Sequence, residues 1–297
     1  MGYVYLSLAL FAGVAKGFFG KTISRDVSGF RDCTYINALR MLFCAAVGLV
    51  LTLVAGDAEF LHLNAGNTWI YLLSSISMAA FCLCWMYAYK QDAYVFLNTF
   101  TMLGSVVTCF LSFLVFDEPI RWNEWVGMAL LLAAVLIMMK YNKEIKGRIK
   151  WLGVLLLIVG CLGAALSDFA QKLYMRQVGE SASCFTFYTY AFGLVFVLLL
   201  YGLTYTKKNA IALSLPIRQK ANILSCLAMS VFLFINTSLK TVAAGMLTAA
   251  QIYPVLQGSN LLLSGLMAHF IFRERSNLKS VVGMSVAFAG LLLMNML

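Results

Sequence analysis

The chain has 297 residues, of which 62% are hydrophobic and only 11% charged. Soluble domains are about half apolar and about a quarter charged, so this chain lacks the charge to dress a water-facing surface. With 3 Pro, 22 Gly and long Leu/Val/Ala/Phe runs, the composition also excludes disordered, collagen-like and disulfide-stapled secreted folds and leaves an integral membrane protein.

A hydrocarbon core of about 30 Å needs about 20 apolar residues per helix. In chain order the runs of that kind are Tyr3–Gly20, Cys33–Ala55, Trp69–Tyr89, Ala93–Phe116, Trp125–Met139, Trp151–Gln171, Cys184–Tyr205, Ala221–Leu239, Ala243–Phe272 and Leu278–Met296. The first has no basic leader region or small-residue cleavage site, so it reads as a span and not as a signal peptide. Leu6 stands where an N-myristoylation signal needs Ser or Thr. Met128–Met139 and Val154–Val159 are apolar on every face, as lipid-embedded helices are, and show none of the alternation of a β-barrel. The connections, longest at Gly56–Thr68 and Thr206–Lys220, are too short to hold a domain. The expected fold class is an all-α polytopic membrane protein with ten transmembrane helices.

The formal charge is +10, and 16 of the 22 basic residues fall in loops joining odd to even spans, densest at Lys140–Lys150. The opposite side has Arg121, Lys172, Arg176 and Lys240. Basic short loops stay cytoplasmic, so both termini are expected outside a cell (plasma or inner) membrane. The excess charge meets anionic membrane lipid. No basic groove with interleaved aromatics exists to bind nucleic acid, so none is expected as a partner.

The chain also repeats itself. Phe116-Asp117-Glu118 followed by Val126-Gly127-Met128 recurs 156 residues on as Phe272-Arg273-Glu274 followed by Val282-Gly283-Met284. Phe18/Phe169, Lys21/Lys172 and Cys33/Cys184 match at 151 residues, and Lys90/Lys240 at 150. The expected organisation is a first five-helix repeat over 1–140, a basic connecting loop over 141–150 and a second repeat over 151–297. Because five is odd, the halves enter the membrane from opposite sides. Inverted repeats of this kind support alternating access to a central site.

These residues resemble the drug/metabolite transporter superfamily in its ten-helix, EamA-type branch. The likeness rests on Lys21 after helix 1, Ala38-Leu39-Arg40 in helix 2, the Glu118…Gly127 and Glu274…Gly283 pattern, and Tyr253-Pro254 in helix 9. Helix 4 departs from it, with Asn98-Thr99 where helix 9 has its proline. The resemblance implies a small-molecule permease, often an exporter of amino acids, metabolites or drugs. It also implies cytoplasmic termini, against the charge count. Helix 1 lacks the glutamate of the small multidrug-resistance relatives, which counts against a cationic-drug antiporter.

Lipid offers polar side chains no partner, so polar faces of spanning helices should turn into the bundle. Asn98, Thr101, Ser105, Thr108 and Ser112 share a face of helix 4, and Tyr253, Gln257, Asn260 and Ser264 share one of helix 9, with Gln251 nearby. The expected pathway therefore runs between helices 4 and 9, with contributions from helices 2, 3, 7 and 8. Ser105, Thr108, Ser112 and Ser264 are assigned to helix packing. For Asn98, Gln257 and Asn260, pathway lining and packing both stand. Pro254 removes one helical hydrogen bond, which makes either a hinge for rocking or a structural bend.

Arg40, one turn after Asn37, is expected to snorkel to the cytoplasmic interface, as is Lys16. The alternative for Arg40 is a fixed cation that clamps a substrate anion. Trp85 and Tyr188 could stack on a substrate, against a reading as interface anchors. Asp168 is the lone carboxylate well inside a span. It suits either proton coupling or a local pair with Lys172. Lys16 and Asp168 occupy adjacent positions in the repeat, but inversion is expected to put them at opposite membrane faces. Glu118 and Glu274 are expected to be structural, as caps and dipole partners.

The eight Cys form no metal-ligand spacing, there are only two His, and no hydrolase, phosphate-loop or dinucleotide motif occurs. Neither an enzyme nor a cofactor nor a metal site is expected. The functional expectation is a secondary transporter of a small polar, amino-acid-like metabolite, with export as the expected direction, the oligomeric state open and a monomer allowed. The alternatives are an exchanger of organic anions, such as sugar phosphates or nucleotide sugars, and a non-transporting membrane scaffold.

Overall fold

The computed structural model describes residues 1–89, 94–146, 151–203, 219–271 and 278–295. Among the described residues, ten α-helices follow in order: α1 Gly2–Ser24, α2 Phe30–Val54, α3 Thr68–Tyr89, α4 Tyr94–Phe116, α5 Trp122–Lys146, α6 Trp151–Gln177, α7 Ala182–Leu203, α8 Lys220–Met246, α9 Ala249–Phe270 and α10 Leu278–Asn295. One 3-10 turn, Asp57–Phe60, sits between α2 and α3. Among the described residues, six of these helices are long and apolar enough to cross a bilayer by length and composition, and Thr101–Phe116 and Val281–Met294 form shorter apolar stretches. A 23-residue helix such as α1 rises about 34 Å, enough for the hydrocarbon core.

Several helices extend past the apolar runs seen in the sequence, and in α6 and α8 the extensions carry charges into the bundle. α6 continues beyond Gln171 to Gln177, and α8 beyond Leu239 to Met246. Lys172 is fully buried and Lys240 is 6% exposed, so neither is a loop residue. Hydropathy ends a span at its first charge, whereas the helix continues as long as that charge has a partner inside the protein.

The packing is a bundle with twofold pseudo-symmetry. α2 packs on α7, α4 on α9 and α5 on α10, each helix against its own counterpart in the other half. The remaining main contacts come in exchanged pairs: α1 on α8 with α6 on α3, α4 on α6 with α9 on α1, and α3 on α7 with α8 on α2. This is the arrangement of two inverted five-helix repeats that embrace each other.

Close approaches of backbone set this packing. A Cβ built on Gly127 in α5 would stand 2.2 Å from Met294 Cγ and 2.7 Å from the Gly290 carbonyl oxygen in α10. A Cβ on Gly163 in α6 would stand 2.7 Å from the Ser77 carbonyl oxygen in α3. Such contacts bring helices near enough for dispersion to hold them where lipid provides no hydrophobic drive. Gly127 of the repeated glutamate–glycine pattern is therefore a packing residue, and its counterpart Gly283 is buried as well.

Candidate functional site

A cavity of about 60 Å³ lies between the halves, walled by α1, α3, α4, α6, α8 and α9. Its wall repeats the internal duplication. Gly13, Lys16 and Gly17 on α1 correspond at the 151-residue offset to Ala164, Ser167 and Asp168 on α6, and Thr101 on α4 corresponds at the 156-residue offset to Gln257 on α9. The backbone of the wall is thus pseudo-symmetric, but its chemistry is not. One half places a lysine where the other has serine, and a glycine where the other has aspartate.

Charged and amide side chains meet in this wall. Asp168 and Lys240 form a buried ion pair across α6 and α8. Lys16 faces the same cavity and lies within electrostatic reach of Lys240, Asp168 and Arg40. Asn236 donates to the Ala9 carbonyl at 2.6 Å, and Gly13 leaves room beside it, since a Cβ there would stand 3.1 Å from both Asn236 and Asn260. Tyr253, buried, donates its hydroxyl to the Asp168 main-chain carbonyl at 2.7 Å. It thereby ties α9 to the turn of α6 that carries the carboxylate.

Three expectations change here. Asp168 pairs with Lys240 and not with Lys172, whose ammonium is 2.8 Å from Glu118. Lys16 does not snorkel to an interface but lines the cavity. Lys16 and Asp168 also share one cavity instead of occupying opposite faces. Residues of the two halves that line a shared central cavity are brought together by the packing of α1 and α6 around it, whichever face each helix enters from.

Of the other candidates, Thr101, Trp85, Gln257 and Asn260 line the cavity. Gln251 does not; its side-chain oxygen accepts from the Thr248 N–H at 3.2 Å and caps α9. Tyr188 sits in an aromatic cluster with Tyr71 and Phe192, at ring separations of 5.1 and 5.9 Å. Pro254 is buried within the first turns of α9. Helices α1 and α6 contribute to the wall, whereas α2 and α7 do not. Ser105 and Thr108 bond main-chain carbonyls, Thr108 reaching Ala165 on α6 at 3.1 Å. The side chains of Asn98 and Ser264, and Glu274 as a whole, lie outside the described residues.

Arg40 is 1% exposed and therefore does not snorkel. Its guanidinium lies over the Trp85 ring, 5.9 Å from the centroid, and the Lys16 ammonium lies at 5.9 Å from the same ring. Arg40 Nη1 reaches Met229 Sδ at 4.0 Å, and Nε and Nη2 have no hydrogen-bond partner. Asn37, one turn earlier, donates to the Cys33 carbonyl at 2.8 Å and leaves its Oδ1 without a donor.

A second ionic cluster closes one end of the bundle. Glu118, between α4 and α5, accepts from Lys172 at 2.8 Å, Arg176 at 2.7 Å and the Ala249 N–H at 2.9 Å. It caps the N-terminus of α9 across the bundle; α5 is capped instead by Glu124, which accepts from the Arg121 N–H at 2.8 Å. Burial alone pushes the Glu118 carboxyl up, but Lys172, the Ala249 N–H and Arg176 hold it below the ordinary carboxylate range. Lys172 also donates to the Ala244 carbonyl at 3.0 Å, which fastens the end of α8.

Sequence reasoning missed Lys240, Asn236 and Thr237 as wall residues. The match of Lys240 to Lys90 was a signal, but Lys240 lies one residue past an apolar run and was counted with the loops.

Among the described residues no group of His, Cys, Asp and Glu could hold a metal ion. Solved structures match the chain, among them a crystal structure with a TM-score of 0.72 over 99% of this chain and 96% of its own, at 12% identity, a likeness that establishes the fold. No curated protein sequence matches the chain. The model of the EamA-like transporter family matches residues 1–140 and again residues 151–296. With both halves of the chain covered, this multi-pass membrane protein belongs to the EamA-like transporter family, whose members are transporters of the drug/metabolite type.

Proposed function

We propose that the protein is a secondary transporter that moves a small polar metabolite bearing a carboxylate, by alternating access around the central cavity, with export as the working direction. The observation that carries this reading is the cavity itself: it lies between two inverted halves, and symmetric helices of both halves line it. Rocking of one half against the other opens such a site to each side in turn, and no covalent step is needed. Thr101, Gln257 and Asn260 supply neutral hydrogen-bonding groups, and Lys16 and Lys240 supply positive charge. Pro254 frees a main-chain carbonyl beside Tyr253 and serves as the joint. Asp168 can accept a proton when Lys240 is drawn away, which couples movement to a gradient. The organic-anion reading is favoured by one observation: Lys16, Lys240 and Arg40 outnumber Asp168 around the cavity. The two repeats are proposed to act as units over 1–140 and 151–297, in a cell membrane with both termini outside.

The test is flux in proteoliposomes together with labelling of Gln257→Cys by a membrane-impermeant thiol reagent applied from each side. The expected result is net flux of a carboxylate-bearing solute, with labelling from both sides that shifts when solute is added. Labelling from one side alone, with no flux of any solute, means a scaffold and ends the transport reading.

A further inference from the structure

Arg40 is a buried cation whose bonding capacity is mostly unused. It is 1% exposed, Nε and Nη2 have no hydrogen-bond partner, and what the guanidinium does reach is sulfur: the Met229 thioether at 4.0 Å from Nη1 and the Cys82 thiol. Within its electrostatic reach are the soft thiols of Cys44, Cys82 and Cys226, the Lys16 ammonium and the Tyr190 hydroxyl, already engaged with Thr237 at 2.7 Å, with the face of Trp85 alongside. None of these is an anion, and none accepts strongly. A guanidinium offers five N–H donors in a planar fork matched to an oxyanion, and holding it in a low-dielectric interior without one is costly.

The layer between Arg40 and the cavity is Trp85. The indole belongs to the cavity wall, Arg40 does not, and the ring carries Arg40 and Lys16 each at 5.9 Å from its centroid. Its far edge lies against Gly20 of α1, where a Cβ would stand 2.7 Å from the ring. The ring therefore has room only because position 20 lacks a side chain. Lys16, already in the cavity wall, stands at the entrance to this position.

We propose that Arg40 is the anchor of a second, inner oxyanion subsite, reached from the central cavity when the Trp85 indole turns aside. It receives the carboxylate or phosphate-ester end of the substrate, and Lys16 hands the anion inward. The bound anion bridges Arg40 and Lys16 in place of the cation–π contacts that Trp85 now makes with both. The site thereby selects solutes of net negative charge over zwitterions and cations. This rests on the transport reading above and names the substrate class for it.

The test uses the full-length protein in proteoliposomes loaded with an equimolar mixture of lactate, succinate, glycerol 3-phosphate, alanine and tetraethylammonium, with efflux of each followed by mass spectrometry. The expected result is preferential efflux of the anions. Lactate and succinate without glycerol 3-phosphate identify a carboxylate site, and all three together identify a general oxyanion site. Arg40→Gln lowers anion efflux at least tenfold, whereas Arg40→Lys retains it with a raised KM, since the charge persists without the fork. Succinate quenches tryptophan fluorescence in the wild type and not in Trp85→Phe. Preference for alanine or tetraethylammonium overturns the subsite while leaving transport intact. So does anion efflux within twofold of wild type in a monodisperse Arg40→Gln. Should that variant aggregate, an unchanged KM in Arg40→Lys overturns it equally. Efflux of none of the five from the wild type, with one-sided labelling at position 257, overturns the transport reading and this inference with it.

Discussion

Asp168 and Lys240 hold each other's charge inside the bundle, and each is there only because the other is. Removing one partner of a buried pair typically costs about 3–5 kcal/mol. Asp168→Asn should accordingly lower the thermal unfolding midpoint in detergent, and adding Lys240→Met should restore most of it. If proton coupling runs through this carboxylate, the single variant also flattens the pH dependence of flux; unaltered pH dependence removes Asp168 from that role. Glu118 gives a second handle. Its carboxyl is held below its ordinary range when folded, so the stability it contributes is full above the unfolded carboxylate range and is lost as pH falls through the lower folded value. Melting of the wild type should therefore decline on acidification, and Glu118→Gln should show a lower melting point near neutrality and a shallower decline. These pairings were not legible in the sequence. Lys172 lies four residues from Asp168 on one helix, a spacing that reads as a pair, but it turns instead to Glu118 on the α4–α5 connection.

Among the elements, α5 and α10 show how closely the halves interlock. Their contact at Gly127 and Gly290 brings main chain against main chain, with a Cβ at 290 standing 2.9 Å from the Gly127 carbonyl oxygen. Gly127→Ala should cost about 1–3 kcal/mol by overpacking, seen as reduced monodisperse yield and a lower melting point. Met294→Ala in the same chain relieves only part of it, because the Gly290 carbonyl cannot withdraw. The sequence marked Gly127 by its recurrence as Gly283 but could not name its partner. The helices themselves were legible, since an apolar run of spanning length has few other options in a bilayer. Their ends were less so. α6 and α8 continue through Lys172 and Lys240 because those ammonium groups find partners in the interior.

At the scale of the whole molecule, the duplication makes the fold and its asymmetries make the site. The charge distribution bears on orientation more cleanly once the structure is known: of the four basic residues counted on the sparse face, Lys172 and Lys240 are buried in ionic contacts. A C-terminal alkaline phosphatase fusion, active only outside the cytoplasm, should be active here, and a silent fusion paired with an active cytoplasmic reporter would reverse the assignment. The sequence by itself determined that the chain is membrane-embedded, helical, twofold repeated and therefore inverted, because these follow from hydropathy and from counting an odd number of spans. Only the tertiary structure decided which charges meet. Asp168 and Lys240 are 72 residues apart, and Lys16 and Arg40 sit on different helices against one indole. Such encounters depend on how the helices pack against one another, and the local periodicity of a single helix does not encode that.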